Sequence, residues 1–237
     1  STRFIPAVSR VRIPLSLRKR ELLRKQGLLL FYVRRGLPVA GPADYNTMEN
    51  DREALMKLFH LSDLHIGKRV NEFSMIEDQK YILSQILHAA KRERPDGVLL
   101  SGDIYDSTIP SAEAVQVFDA FLTELSTNRI LTFIISGNHD SAERLAFGSS
   151  LMGKSGIYFS KVYNGTIEKI PLQDAYGTVW IHLLPFLRPA VVRHALPERA
   201  EEVMCTADAV RIALEQDLVD EQDRNVILAH KDRKSVV

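Results

Sequence analysis

Four short clusters hold side chains that bind hard or borderline metal ions: Asp63-Leu64-His65, Gly102-Asp103, Gly137-Asn138-His139-Asp140 and the single histidine His230. Carboxylate, imidazole and amide oxygen are the donors that suit a pair of divalent cations lying about 3.5–4 Å apart. Such a pair needs one bridging carboxylate, which also offsets the repulsion between the ions. Asp63 and His65 occupy alternate positions, which point the same way off an extended segment. Asp103 follows Gly102, whose missing Cβ lets backbone and ions come close. Asn138 offers a neutral oxygen, so the site is not overloaded with negative charge. His139 is expected to point away from the ions, toward a substrate. Asp140 either orients His139 or serves the local turn.

The clusters need elements that carry them to one place. Leu58-Phe59-His60-Leu61 reads as a buried strand ending at Ser62-Asp63. Residues 74–91 repeat Ile76, Leu83, Ile86, Leu87 and Ala90 at helical spacing. After the turn Pro95-Asp96-Gly97, Val98-Leu99-Leu100 is a second strand that ends at Ser101-Gly102-Asp103. Ser111 is a candidate cap for a helix with a Val115, Phe118, Phe121, Leu122 and Leu125 stripe. Ile130 to Ile135 is a third strand, ending at the Gly137–Asp140 cluster. Continuous apolar strands alternating with helices predict a parallel sheet covered on both faces. Polar clusters at the carboxyl ends of such strands are where α/β folds collect ligands. Further on, Thr166–Pro171 and Thr178–Leu184 read as antiparallel strands, residues 198–219 as a helix, and Val226–Ala229 as a strand delivering His230. The expected fold is therefore α/β, with a two-layer β-sheet core flanked by helices.

Asp-x-His or Gly-Asp alone is a weak signal, and the aspartates could be helix caps or turn formers. All three clusters, in this order, each at a strand end, are specific. They resemble the signature D-x-H, G-D, G-N-H-[DE] of the calcineurin-like metallophosphoesterases. The segments from Met56 to Lys68, Ser101 to Asp106, Ser136 to Ser141, and Pro185-Phe186-Leu187-Arg188-Pro189 are similar, more narrowly, to bacterial DNA nucleases of that family. That resemblance implies two divalent ions, Mn2+ in such enzymes: one held by Asp63, His65 and a bridging Asp103, the other by Asp103, Asn138 and His230. His139 would stabilise the transition state or protonate the leaving oxygen as water attacks phosphorus. The implied activity is 3′→5′ exonuclease action on duplex ends and endonuclease action on single strands and hairpins. The implied partners are DNA and an SMC-type ATPase, within a heterotetramer built on a nuclease homodimer. Tyr105 and Arg188 are candidate substrate contacts by the same resemblance. His60, His88, His182 and His194 are expected to be non-catalytic.

The family's last motif, Gly-His-x-His, does not follow His230, so the resemblance implies a fold incomplete at the C-terminus, with each ion one ligand short. Weak manganese binding and little nuclease activity are the expectation. Residues 1–55 are expected to be a non-native or disordered basic extension, with residues 56–231 the phosphoesterase domain. Val11-Arg12-Ile13-Pro14 reads as translated tRNA-gene sequence, and residues 52–55 fit a ribosome-binding site ahead of Met56. Asp232–Val237 matches translated sequencing adapter and reads as an artefactual tail.

Composition narrows the function classes. Residues 1–43 carry 10 Lys or Arg and one acid, and the rest of the chain has a net charge of −8. A basic surface is therefore no argument for nucleic-acid binding by the domain. No apolar run is long enough to cross a membrane. The short run Gly27–Val33 after Arg18-Lys19-Arg20 imitates a secretory signal only faintly. The single cysteine, Cys205, allows no internal disulfide, fits a reducing, cytoplasmic setting and is expected to be buried. Two alternatives stand beside the nuclease: a metallophosphoesterase acting on small nucleotides or phosphoesters, and a non-catalytic scaffold for the ATPase or DNA.

Overall fold

The computed structural model describes residues 29–33 (as backbone), 56–174, 176–217 and 223–230. Its centre is a five-stranded sheet. Strands β2 (Met56–Leu61), β5 (Gly97–Ser101), β6 (Leu131–Ile135) and β7 (Ile157–Phe159) run parallel in that spatial order. Strand β1 (Leu29–Val33) adds to the edge of β2, antiparallel. The sequence pattern does not predict that strand; a five-residue apolar run carries no periodicity that separates strand from loop. The other residues of the expected extension and tail lie outside the described residues. Strands β3 (Arg69–Val70) and β4 (Phe73–Ser74) form a small ribbon before helix α1 (Ile76–Glu93).

The parallel strands are mainly apolar because both faces of the sheet are covered. Phe59, Leu61, Val98, Leu100 and Ile134 pack with Leu83, Ile86 and Ala90 of α1 and with Phe118, Phe121 and Leu122 of helix α2 (Ala112–Thr127). The alternate residues Met56, Leu58, Leu99, Phe133 and Ile135 face the other way. They meet Leu172, Val179, Ile181, Leu183 and Leu228 of a second, three-stranded sheet. In that sheet β8 (Glu168–Asp174) pairs antiparallel with one side of β9 (Gly177–Leu183), and β10 (Arg224–Leu228) pairs parallel with the other. The two-layer sheet core with flanking helices is the fold expected from sequence.

Ser111 caps α2, its hydroxyl accepting from the Ala114 N–H. The apolar stripe is displaced from the expected one: Val115 is exposed, and Ala114 and Val117 take the buried positions. Short helices α3 (Ala142–Leu145) and α4 (Ser149–Met152) follow the third cluster, and α5 (Pro189–Ala195) follows β9. The helix expected over 198–219 is interrupted. Residues Pro197–Glu202 form a 3-10 turn, and α6 begins at Thr206 and ends at Asp217. The Asp208 carboxylate takes the Met204 and Cys205 N–H groups, which fixes the break. Cys205 consequently lies at a helix start and is exposed, against expectation, with its thiol 3.2 Å from Asp208. Among the described residues no helix is long and apolar enough to cross a membrane.

Candidate metal centre

The loops leaving β2, β5 and β6 lie side by side at the carboxyl edge of the parallel sheet, and the first two are laced together. Asp63 N–H donates to the Gly102 carbonyl (3.2 Å), His65 N–H to Asp103 (2.9 Å) and Ile66 N–H to Ile104 (2.8 Å). Asp63, His65 and Asp103 all adopt left-handed backbone, with φ of 57°, 43° and 50°. Asp63-x-His65 is thus not the extended segment that the sequence suggests. Such conformations cost about 1–3 kcal/mol each and persist where the surroundings hold them, as at functional sites.

Close packing of glycines makes room for Asp103. A Cβ on Gly137 would stand 2.1 Å from Asp103 Oδ1, and one on Gly102 would stand 2.7 Å from the Gly137 backbone. Asp140 completes the frame. Its buried carboxylate accepts the N–H groups of Ile104 (3.1 Å), Tyr105 (3.0 Å) and Gly137 (2.8 Å), tying the β5 loop to the β6 loop. Burial pushes its carboxyl above the ordinary value, the three N–H donors pull it down, and the Asp103 charge raises it. Of the two uses open for Asp140, the structure has the turn; it does not touch the His139 ring.

Asp103 is the hub. Its buried carboxylate accepts the His139 N–H at Oδ1 (3.0 Å), while Oδ2 lies 3.7 Å from His65 Nε2 and 3.5 Å from His230 Nε2. Two sets of donors converge on it, His65 with His139 and Asp63 with His230, each set within 4.8 Å. His230, just past the end of β10, crosses from the second sheet. Its Nδ1 donates to the Ser101 carbonyl (2.7 Å) and its Nε2 lies 2.9 Å from Asn138 Oδ1. A carbonyl can only accept, so Nδ1 carries a proton. In the neutral ring Nε2 is then a lone pair facing an oxygen lone pair, an arrangement suited to a cation. His65 Nδ1 is buried without a hydrogen bond, although Asp106 Oδ1 is 3.4 Å away. An orphaned imidazole nitrogen, a shared buried carboxylate and a facing pair of acceptors fit divalent metal ions.

His139 is exposed. Its ring stands edge-on to His65 at 4.9 Å, and its Nδ1 donates to the Asp106 carbonyl (3.0 Å). Arg188 is exposed beside the cluster and donates to the Asn138 carbonyl at 3.4 Å. Tyr105 instead packs edge-on to Phe118, and its hydroxyl is pushed up to about 12 by burial first and by Asp140 and Asp119 second. The structure therefore gathers Asp63, His65, Asp103, Asn138, His139 and His230 into one place. It adds three residues whose roles the pattern did not give: Asp106 beside His65 and His139, Ser101 under His230, and Phe186, whose ring is 6.1 Å from that of His230. Asp106 alone had a usable signal, a carboxylate three residues beyond Asp103. Of the histidines set aside, His60 lies against the Ser101 hydroxyl and His182 is buried in the second sheet.

The chain belongs to the calcineurin-like phosphoesterase family, which it matches over residues 56–231. Within that family it is similar to the SbcD component of the SbcCD nuclease of Staphylococcus saprophyticus, 31% identical over 176 residues, and to that of Staphylococcus epidermidis, 32% identical over 178 residues. Each alignment covers 74% of this chain and 46% of the relative, so the chain spans about half the length of the curated relatives it matches. The narrower resemblance in the motifs is thus to SbcD proteins.

Proposed function

We propose that the chain is the phosphodiesterase core of a manganese-dependent DNA nuclease of the SbcD type. It would act on duplex ends, single strands and hairpins with an SMC-type ATPase partner of the SbcC kind, in the cytoplasm. The full assembly would be a heterotetramer around a nuclease homodimer. The observation that carries the reading is the position of Asp103, which lies with His65 and His139 on one side and with Asp63 and His230 on the other. Asp63 and His65 would share one ion with Asp103, and Asn138 and His230 the other, a division that follows the family's pattern and not those two groupings. When bound, two divalent ions supply Lewis-acid charge for phosphoryl oxygens and a strong nucleophile at neutral pH. His230 is oriented by its Nδ1 bond to Ser101, which presents Nε2. His139 is tethered through Nδ1 to Asp106, so Nε2 is the atom left to hold a proton and pass it to a leaving oxygen. Arg188 supplies positive charge beside Asn138 for a phosphate.

Cleavage of hairpin DNA with Mn2+, compared with hydrolysis of a cyclic nucleotide, tests the reading. The proposed donors are a sparse set for two ions, so slow DNA cleavage is expected, with little action on the cyclic nucleotide. His139→Ala should lower that cleavage by about 10²–10⁴-fold while Mn2+ affinity is kept. Preference for the small substrate would favour a nucleotide phosphoesterase. Loss of Mn2+ binding in the variant would make His139 a ligand.

A further inference from the structure

Away from the metal centre, one buried polar cluster ties three elements together. His182 on β9 is 1% exposed. Its Nε2 lies 2.8 Å from Asn225 Oδ1 on β10, and its Nδ1 lies 3.0 Å from Asp217 Oδ2 at the end of α6. The Asn225 amide has only one sensible orientation, because its Nδ2 donates to the Asp223 carbonyl at 3.1 Å. Oδ1 therefore faces the imidazole, and on the other side Nδ1 meets a carboxylate, so the ring joins β10 to α6.

Lys169 on β8 places Nζ 3.3 Å from Asp217 Oδ1 and also donates to the Asp217 carbonyl (2.8 Å). His182, Lys169, Asp217 and Asn225 thus meet where β8, β9, β10 and α6 join. In the described sheet β10 is an edge strand paired only with β9, and two residues past its end stands His230. The pairing sets Asn225 opposite Trp180 and Leu228 opposite Leu183, and Leu184 N–H then donates to the Leu228 carbonyl (3.0 Å). Register along β10 decides whether His230 reaches Ser101 and Asn138.

We infer that His182, held between Asp217 and Asn225, pins β10 in register and so positions His230 in the metal centre. It is a positioning residue and touches neither metal nor substrate. The inference rests on the proposed centre for its purpose, but the coupling to His230 is a property of the chain without metal. Imidazole nitrogen NMR on the whole chain, without metal, reads it. In Asn225→Leu the His230 ring signals should shift and its Nδ1 proton should exchange faster. Asn225→Asp keeps the acceptor toward His182 but loses the donor to the Asp223 carbonyl, and should restore them in part. Mn2+ affinity should fall about tenfold in Asn225→Leu and recover in part in Asn225→Asp. Unchanged His230 signals in Asn225→Leu would overturn the inference. Shifted His230 signals in a protein that takes up no Mn2+ would leave it standing and remove the metal centre instead.

Discussion

Single residues hold the centre open. The Asp103 carboxylate sits against Gly137 at a distance that a side chain at 137 would not permit, and Asp140 fastens both flanking loops through three backbone N–H groups. Asp140→Asn can keep a carbonyl acceptor, but its NH2 faces a backbone donor and strands at least one buried N–H. Hydrogen bonds to charged groups are worth ~1.5–3 kcal/mol, so a loss of about 2–3 kcal/mol in denaturant unfolding is expected. A variant as stable as the wild type would mean that the loops are fixed by other contacts. The residue types at the centre were legible from sequence because metal chemistry restricts them so narrowly. The left-handed backbone at Asp63, His65 and Asp103 was not: Asp and His favour positive φ more than most residues, but only a few per cent of non-glycine residues adopt it, so the residue type does not mark the position. The roles of Asp106 and Ser101 were hidden for a different reason: both act partly through backbone carbonyls, which every residue has.

At the scale of elements, hydropathy located the strand ends that matter. Strands β2, β5 and β6 fall where continuous apolar runs meet polar clusters, and Ser111 caps α2 as its type and position suggested. Failures came where periodicity was ambiguous. Val115 fits a helical stripe with Phe118 and Leu122, yet Ala114 and Val117 face the core instead. The break before α6 depends on one carboxylate, Asp208, taking two N–H groups, which an apolar count does not register. Strand β10 is clasped to the β8–β9 hairpin by Arg224, which forms a two-point pair with Asp174 (2.6 and 2.5 Å). The hydrogen bonds from Arg224 hold the Asp174 carboxyl below its ordinary value of 3.8. A depressed carboxyl stabilises the fold above its unfolded value, and the contribution is lost as pH falls through the folded one. The Tm difference between wild type and Arg224→Ala should therefore be largest at neutral pH and shrink as pH drops below 3.8. A difference independent of pH would assign the effect to packing of the arginine stem.

Over the whole molecule, two sheets packed face to face bring together residues far apart in sequence. Asp63 to Asn138 come from one sheet, and His230 arrives from the other, so the centre exists only when the layers dock. That is why His230 was the least specific of the candidate metal ligands: one histidine after a strand says nothing about which sheet it will face. The order of elements predicted the two layers, but not the polar joint of His182, Asp217 and Lys169 that links β8, β9 and α6. Polar residues in a strand pattern are read as solvent-facing until their partners are known. The negative balance of the chain beyond residue 43 agrees with a site built around cations more readily than with a broad basic surface for nucleic acid.

The most direct test of the metal centre is calorimetric titration of the whole chain with Mn2+, alongside its Asp103→Ala variant. Asp103 is the donor common to both sets, so the wild type should show weak but saturable uptake and the variant none. Equal uptake by the two proteins, or none by either, would contradict a metal centre assembled on Asp103.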